Sequence, residues 1–250
     1  MYLVQKYYEV LKKMSNTVIM KIGLLRAERK VCLVFTTDRD KVSSSSTGCF
    51  PTINSLYSMI PRETRLHMER VGRYSEVIFK YLYRKNPKMV EEELGSEFFK
   101  YSEEAFRYHD IGRYFIPVSI LNKVEKLTDE EVMVIRDHTI NALSAIELLY
   151  KKPFPREVLE HFLDIAVYHH ERWDGDGYPE RRIGTEIPLG ARICAIADNF
   201  DGITSWKPYK KRQTTQIEAI DIITNQAGKQ FDPYLIEVFA ECSYNLLIKG

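Results

Sequence analysis

Six histidines stand in the 250-residue chain, and the carboxylates near them point to one kind of chemistry. His109 is followed directly by Asp110, Glu63 precedes His67 by four residues, and His169 and His170 are adjacent. His138 falls in a further helical stretch. Asp198 lies in an apolar run with Ile193, Ile196, Ala197 and Phe200, where an unpaired buried carboxylate would cost several kcal/mol. Imidazole nitrogens with carboxylate oxygens make a mixed donor set that suits manganese, iron or zinc better than a calcium cage. Each group alone has a plainer reading. His67 and His138 read singly as hydrogen-bonded core histidines, and Glu63 as a first-turn carboxylate complementing the helix dipole. His161 joins no set and reads as a surface or helix-face residue.

These groups meet only if the segments that carry them pack together, and those segments read as helices. Pro61 with Glu63 opens a helix whose apolar stripe (Leu66, Val71, Tyr74, Ile78, Leu82) runs to Asn86-Pro87. Glu63 and His67 share a face of it. Thr128 and Glu131 form a capping box, which predicts one helix through Ile135, Leu143, Ile146 and Leu149. Pro153 and Pro155 separate it from a helix over 156–169. Gly175, Gly177, Pro179, Gly184 and Pro188 mark a long loop, and helices resume over 189–203, 214–225 and 233–247. After residue 60 there is no internal repeat and no sustained β alternation. The expected fold is therefore all-α, a helical bundle with its ligands turned inward.

Residues 1–60 differ. A helical stripe from Val4 to Val18, a β-prone run over Val31–Thr37 and a serine tract at 43–46 predict a short helix/β appendage and linker. Its helix would pack on the main domain, taken as residues 61–250, or pair with a second copy.

Composition bounds the function. There are 36 Lys+Arg against 35 Asp+Glu, a formal net charge of +1, which excludes a broad basic footprint for nucleic acid. The apolar run Val31–Phe35 is far too short to span a bilayer, and charged residues interrupt the N-terminal apolar positions, so neither a membrane segment nor a secretory signal is expected. Four cysteines without a CxxC pair suit a reduced, cytoplasmic protein.

In order along the chain stand His109-Asp110-Ile111-Gly112, Ile116-Pro117, Ile120-Leu121-Asn122-Lys123, His169-His170-Glu171-Arg172-Trp173-Asp174-Gly175 and Gly177-Tyr178-Pro179. Ile187-Pro188-Leu189, Ala191-Arg192-Ile193, Ala197-Asp198, Phe200-Asp201, Pro208-Tyr209 and Phe231-Asp232-Pro233 follow. This series, over about residues 61–240, resembles the HD-GYP subgroup of the HD phosphohydrolases. The resemblance implies an HD-type helical bundle and two or three divalent metal ions, iron or manganese foremost, with zinc, nickel or magnesium as other occupants. It carries ligand roles to His67, His109, Asp110, His138, His169, His170 and Asp198. Asp110 would bridge metals, and Glu63 would supply the extra carboxylate of trinuclear members.

The activity so implied is hydrolysis of cyclic di-GMP to linear pGpG and onward to GMP, by metal-activated hydroxide attacking phosphorus. Asp110 and Arg113 would then be catalytic. Arg113, Arg172, Lys207 and Lys210 would contact phosphate, or else be solvated surface charges. The Gly177-Tyr178-Pro179 loop would meet a GGDEF-domain protein, and a homodimer is a further expectation. Arg113 stands where relatives carry lysine, Val118 where they carry aspartate, Ala142 where glycine is frequent and Lys207 where arginine is frequent. These departures keep two alternatives open: a weak or inactive cyclic-dinucleotide-binding module, and a phosphodiesterase for another cyclic dinucleotide such as cyclic GMP-AMP. Cationic residues report phosphate and not base identity. The near-neutral net charge is compatible with an anionic substrate, because bound metals would carry the positive potential.

Overall fold

The computed structural model describes residues 53–145, 154–205 and 212–249, with side chains as far as Tyr244. The expected N-terminal appendage up to residue 52, Ile146, Leu149, Lys207, Pro208-Tyr209 and Lys210 lie outside the described residues.

Pro61 separates α1 (Ile53–Met59) from α2 (Arg62–Lys85). The second helix carries Glu63 in its first turn and Arg84 and Lys85 in its last, as the helix dipole favours. It buries Met68, Val71, Tyr74, Ile78 and Leu82, a spacing of three and four that turns one stripe to the core. Asn86 then caps α3 (Pro87–Leu94), its side chain accepting the Met89 N–H at 3.3 Å. The helix α4 (Ser102–Arg107) leads into a 3-10 segment, Tyr108–Phe115, and α5 (Val118–Leu121) follows. Next come α6 (Asp129–Arg136), α7 (His138–Asn141), α8 (Arg156–Tyr168), α9 (Leu189–Thr204), α10 (Gln216–Thr224) and α11 (Pro233–Lys249).

The long α2 is the central strut, packing against α4, α9 and α11, while α8 lies on α9 and on the 3-10 segment. Fully buried Phe79, Phe98 and Phe106 meet nearly edge to face in the core, Phe79–Phe98 at 5.4 Å and Phe98–Phe106 at 5.8 Å. Each such ring contributes roughly 1.5–3 kcal/mol through burial. The fold is all-α: among the described residues no strand forms, only the isolated bridges Asp174–Ile183 and Ala227–Phe231. No described helix is long and apolar enough to cross a membrane.

Two expectations are corrected. The single helix from Thr128 to Leu149 does not form. The capping box is present, but α6 ends at Arg136 and the chain continues as α7 and a 3-10 turn, Ala142–Ala145. The reason is local competition for carbonyls: His138 Nδ1 takes the Ile135 carbonyl and Thr139 Oγ1 takes that of Arg136 at 3.0 Å. The body also starts before Pro61, since Ile53 and Leu56 of the preceding helix, and Ile60 just after it, are buried in the same core.

Candidate metal centre

Five segments converge on one spot. The second turn of α2 brings His67, the 3-10 segment brings His109 and Asp110, α7 opens on His138, the end of α8 delivers His169 and His170, and α9 brings Asp198. The helical path is interrupted at Asp110 itself (φ −99°, ψ 15°). Close approach of α7 to this segment depends on Gly112, where a Cβ would overlap the His138 carbonyl and stand 2.7 Å from the Ala142 nitrogen.

The ligand atoms fall into two groups around Asp110. Asp110, His138, His169 and His170 form one, and His67, His109 and Asp198 the other, the atoms of each lying within 4.8 Å of one another. Asp110 Oδ1 is 3.1 Å from His138 Nε2 and 3.8 Å from His169 Nε2. Its Oδ2 is 3.5 Å from His67 Nε2 and 3.4 Å from His109 Nε2. Asp198 Oδ1 closes the second group at 3.1 Å from His67 Nε2.

The outer ring nitrogens decide the inner ones. His109 Nδ1 donates to the Phe106 carbonyl at 2.9 Å, His138 Nδ1 to Ile135, and His169 Nδ1 to Ile165 and Ala166, both at 3.1 Å. His67 Nδ1 donates to Asp201 Oδ2 at 2.7 Å. A carbonyl or carboxylate can only accept, so in the neutral ring each Nε2 keeps a lone pair aimed inward.

That arrangement fits metal ions. His109 Nε2 is buried without a well-aligned hydrogen-bond partner, the buried Asp110 oxygens meet only Arg113 and the imidazoles, and His138 Nε2 faces His169 Nε2 at 3.5 Å. Lone pairs facing lone pairs in a buried site are unfavourable unless a cation lies between them.

Electrostatics agrees. Burial would raise the Asp110 carboxyl, but Arg113 and His109 overcome it and hold the group well below the ordinary range. Asp198 is likewise held down against burial, chiefly by its close contact with His67. Burial and neighbouring imidazoles push His169 down, and His170 down to about 3. His67 goes the other way: its contacts with Asp110, Asp198 and Asp201 outweigh burial and raise it.

Seven of the expected ligands are thus brought together, and Glu63 is not. Its side chain is 84% exposed and pairs with Arg62 at 3.4 Å. Sharing a helix face with His67 is not enough, because four residues displace it by about 6 Å along the axis, off the end of the packed stripe. Arg113 does reach the centre, its Nε 2.6 Å from Asp110 Oδ2. Arg172 is engaged by Asp174 at 3.0 and 2.6 Å. Val118 is exposed, and His161 packs edge-on against Phe98 at 5.5 Å.

The loop after α8 belongs to the site. Buried Glu171 accepts the backbone N–H groups of Glu180 at 2.7 Å and Arg182 at 3.1 Å, binding the loop to the end of α8. Gly177 is required because a Cβ there would overlap the backbone of Glu171 and Arg172. Tyr178 consequently stacks on His170, centroids 4.9 Å apart, and Pro179 follows it. Two positioning groups were not anticipated. Asp201, besides receiving His67, is gripped by Arg70, whose Nη2 donates to it at 3.0 Å. The available signal was spacing: Asp201 follows Asp198 by three residues, and Arg70 follows His67 by three.

A family model described as HD domain matches residues 102–235. Among curated relatives, 3'3'-cGAMP-specific phosphodiesterase 2 of Vibrio cholerae is 35% identical over 180 residues, covering 72% of this chain and 31% of that protein. A cyclic di-GMP phosphodiesterase of Thermotoga maritima is 35% identical over 189 residues, covering 75% of this chain and 46% of that protein. The chain therefore spans between about a third and a half of the length of these relatives. Among solved structures, an HDG"Y"P protein from Bdellovibrio bacteriovorus superposes with a TM-score of 0.51 at 18% identity, covering 75% of this chain and 53% of that one, so the fold is shared. The matched segment contains six of the seven converging side chains, and this chain belongs to the HD domain family.

Proposed function

We propose that this chain is a metal-dependent phosphodiesterase that opens cyclic di-GMP to linear pGpG, continues to GMP, and works in the cytoplasm. The observation that carries this reading is Asp110, whose two oxygens each face a separate group of imidazoles. A carboxylate so placed suits two ions, one held by His67, His109 and Asp198, the other by His138, His169 and His170, with Asp110 common to both. When bound, divalent ions of this kind neutralise a phosphodiester and lower the pKa of coordinated water. Iron or manganese best matches the mixed nitrogen and oxygen donors.

The protein's own groups do the rest. Arg113 keeps Asp110 ionised and has donors left for a phosphate oxygen. The outward hydrogen bonds of four imidazoles fix which nitrogen faces the centre, so the ligand set is preorganised. Tyr178 walls His170. With Glu63 exposed on Arg62, two ions are favoured over three. Any contact with a GGDEF-domain protein would use the outer edge of the 176–179 loop, since the Tyr178 ring is engaged with His170; a homodimer belongs to the same reading.

A second reading, hydrolysis of 3'3'-cGAMP, is favoured by the relative of that name that aligns over 72% of this chain. The test is anaerobic purification, elemental analysis, and turnover of both nucleotides on the same sample. Two ions per chain with release of linear product is the expected result. Confirmed metal occupancy with no linear product from either nucleotide would overturn the proposal, and tight binding without turnover would make the chain a binding module instead.

A further inference from the structure

Beside the metal centre lies a cavity of about 200 Å³, lined in part by His170, Tyr178, Arg136, Arg172, Asn199 and Gln230. Its walls also include the carboxylates of Asp176 and of Glu171, the latter spent on backbone N–H groups, and most of its other polar groups are committed to internal bonds. Arg172 is held by Asp174. Gln230 donates to Asn199 Oδ1 at 3.1 Å, and Asn199 donates to the Ala195 carbonyl at 2.9 Å. Arg136 is different. Its guanidinium stands 5.0 Å from the centroid of the Tyr178 ring, whose own neighbour is His170 at 4.9 Å. Among the described residues no carboxylate pairs with it, so its donors are uncommitted while the aromatic contact orients it.

The Arg136 backbone is also fixed relative to the candidate metal centre by the chain itself. It ends α6, two residues before His138, and its carbonyl is taken by Thr139. A cyclic dinucleotide carries two phosphodiesters on one macrocycle. When one lies at the metals, the other is held close by at a distance set by the ring, and a second anion entering a partly enclosed cavity needs a cation whose donors are still available.

We infer that Arg136 is a substrate-binding residue that holds the phosphodiester not undergoing cleavage, which rests on the cyclic-dinucleotide reading above. The side chain is exposed, so replacing it removes no core packing. The experiment compares wild type, Arg136→Ala and Arg136→Lys on cyclic di-GMP, on 3'3'-cGAMP and on bis(p-nitrophenyl) phosphate, a probe with a single phosphodiester.

Losing a charge-assisted contact of this type corresponds to about tenfold or more in affinity. The expected result is that Arg136→Ala loses about tenfold or more in kcat/KM on the cyclic dinucleotides beyond any loss on the small probe. That loss should fall in KM, and Arg136→Lys should recover part of it. Equal losses on all three substrates, or no change in KM for the cyclic ones, would overturn the inference while leaving the phosphodiesterase reading intact. A metal-loaded wild type that cleaves the small probe yet neither binds nor cleaves either cyclic dinucleotide would overturn both.

Discussion

Asp201 Oδ2 accepts a hydrogen bond from His67 Nδ1 at 2.7 Å, and the same carboxylate is clamped by Arg70. This pair fixes the tautomer and plane of an imidazole of the candidate metal centre without Asp201 facing the centre itself. Asp201→Asn should therefore lower metal affinity by about 10–100-fold with the fold retained. Competition against a chelator of known affinity checks this, and an unchanged dissociation constant would remove Asp201 from the positioning role.

Asp110 is the one group common to both halves of the site. Asp110→Ala should drop bound metal to at most one ion per chain and turnover by about 10³-fold or more, because the loss falls on charge stabilisation worth several kcal/mol. Elemental analysis and product formation on one preparation decide it. Retention of two ions would show that the imidazoles suffice.

At Gly112 stability and metal binding should fail together. An added Cβ overlaps the His138 carbonyl, so Gly112→Ala must push α7 away. A cost of about 1–3 kcal/mol is expected, seen as a Tm several degrees lower, and metal affinity should fall because His138 moves with its backbone. A variant with normal Tm and normal metal content would contradict the packing described.

Glu63→Gln should leave metal content and turnover as they are in wild type, since Glu63 is exposed and paired with Arg62. Loss of an ion per chain in this variant would instead identify Glu63 as a ligand.

Acid should destabilise the metal-free protein through His169 and His170. Burial lowers both, His170 to about 3, against roughly 6.5 for an unfolded histidine. Below about pH 6.5 the unfolded chain binds protons that the folded chain refuses, so stability falls as pH falls through this window. The lowered carboxyls of Asp110, Asp198 and Asp201 add loss in the same direction below about pH 4. His67 has the opposite sign: raised when folded, it contributes fully below pH 6.5 and loses that contribution as pH rises through its folded value. Urea midpoints of chelator-treated protein from pH 4 to 7 measure the slope, and His170→Gln should flatten it between pH 4 and 6.5. An equal slope in wild type and variant would rule His170 out as a source.

The order of helices and the inventory of imidazoles and carboxylates that converge were legible in the chain, because their signals are local. Pro61, Asn86-Pro87, the Thr128–Glu131 box and the 3.6-residue stripes act over a turn or two, and the α2 and α8–α11 limits follow them to within about two residues. The break at Asp137 was not legible, since it depends on His138 and Thr139 side chains competing for carbonyls that a capping box cannot foresee. Nor was the fate of Glu63, because shared periodicity fixes a face of a helix and says nothing of where along the axis the neighbouring helices stop.

By itself the sequence determined which donors exist and that separate helices carry them. Only the tertiary structure decided that Asp110 stands between two groups of imidazoles, that Asp201 stands behind His67, and that Tyr178 covers His170. The first two relations join residues far apart in the chain and arise when α2, α8 and α9 bury their apolar faces against one another, which fixes each helix's rotation and depth; the third follows from Glu171 tying the loop to the end of α8.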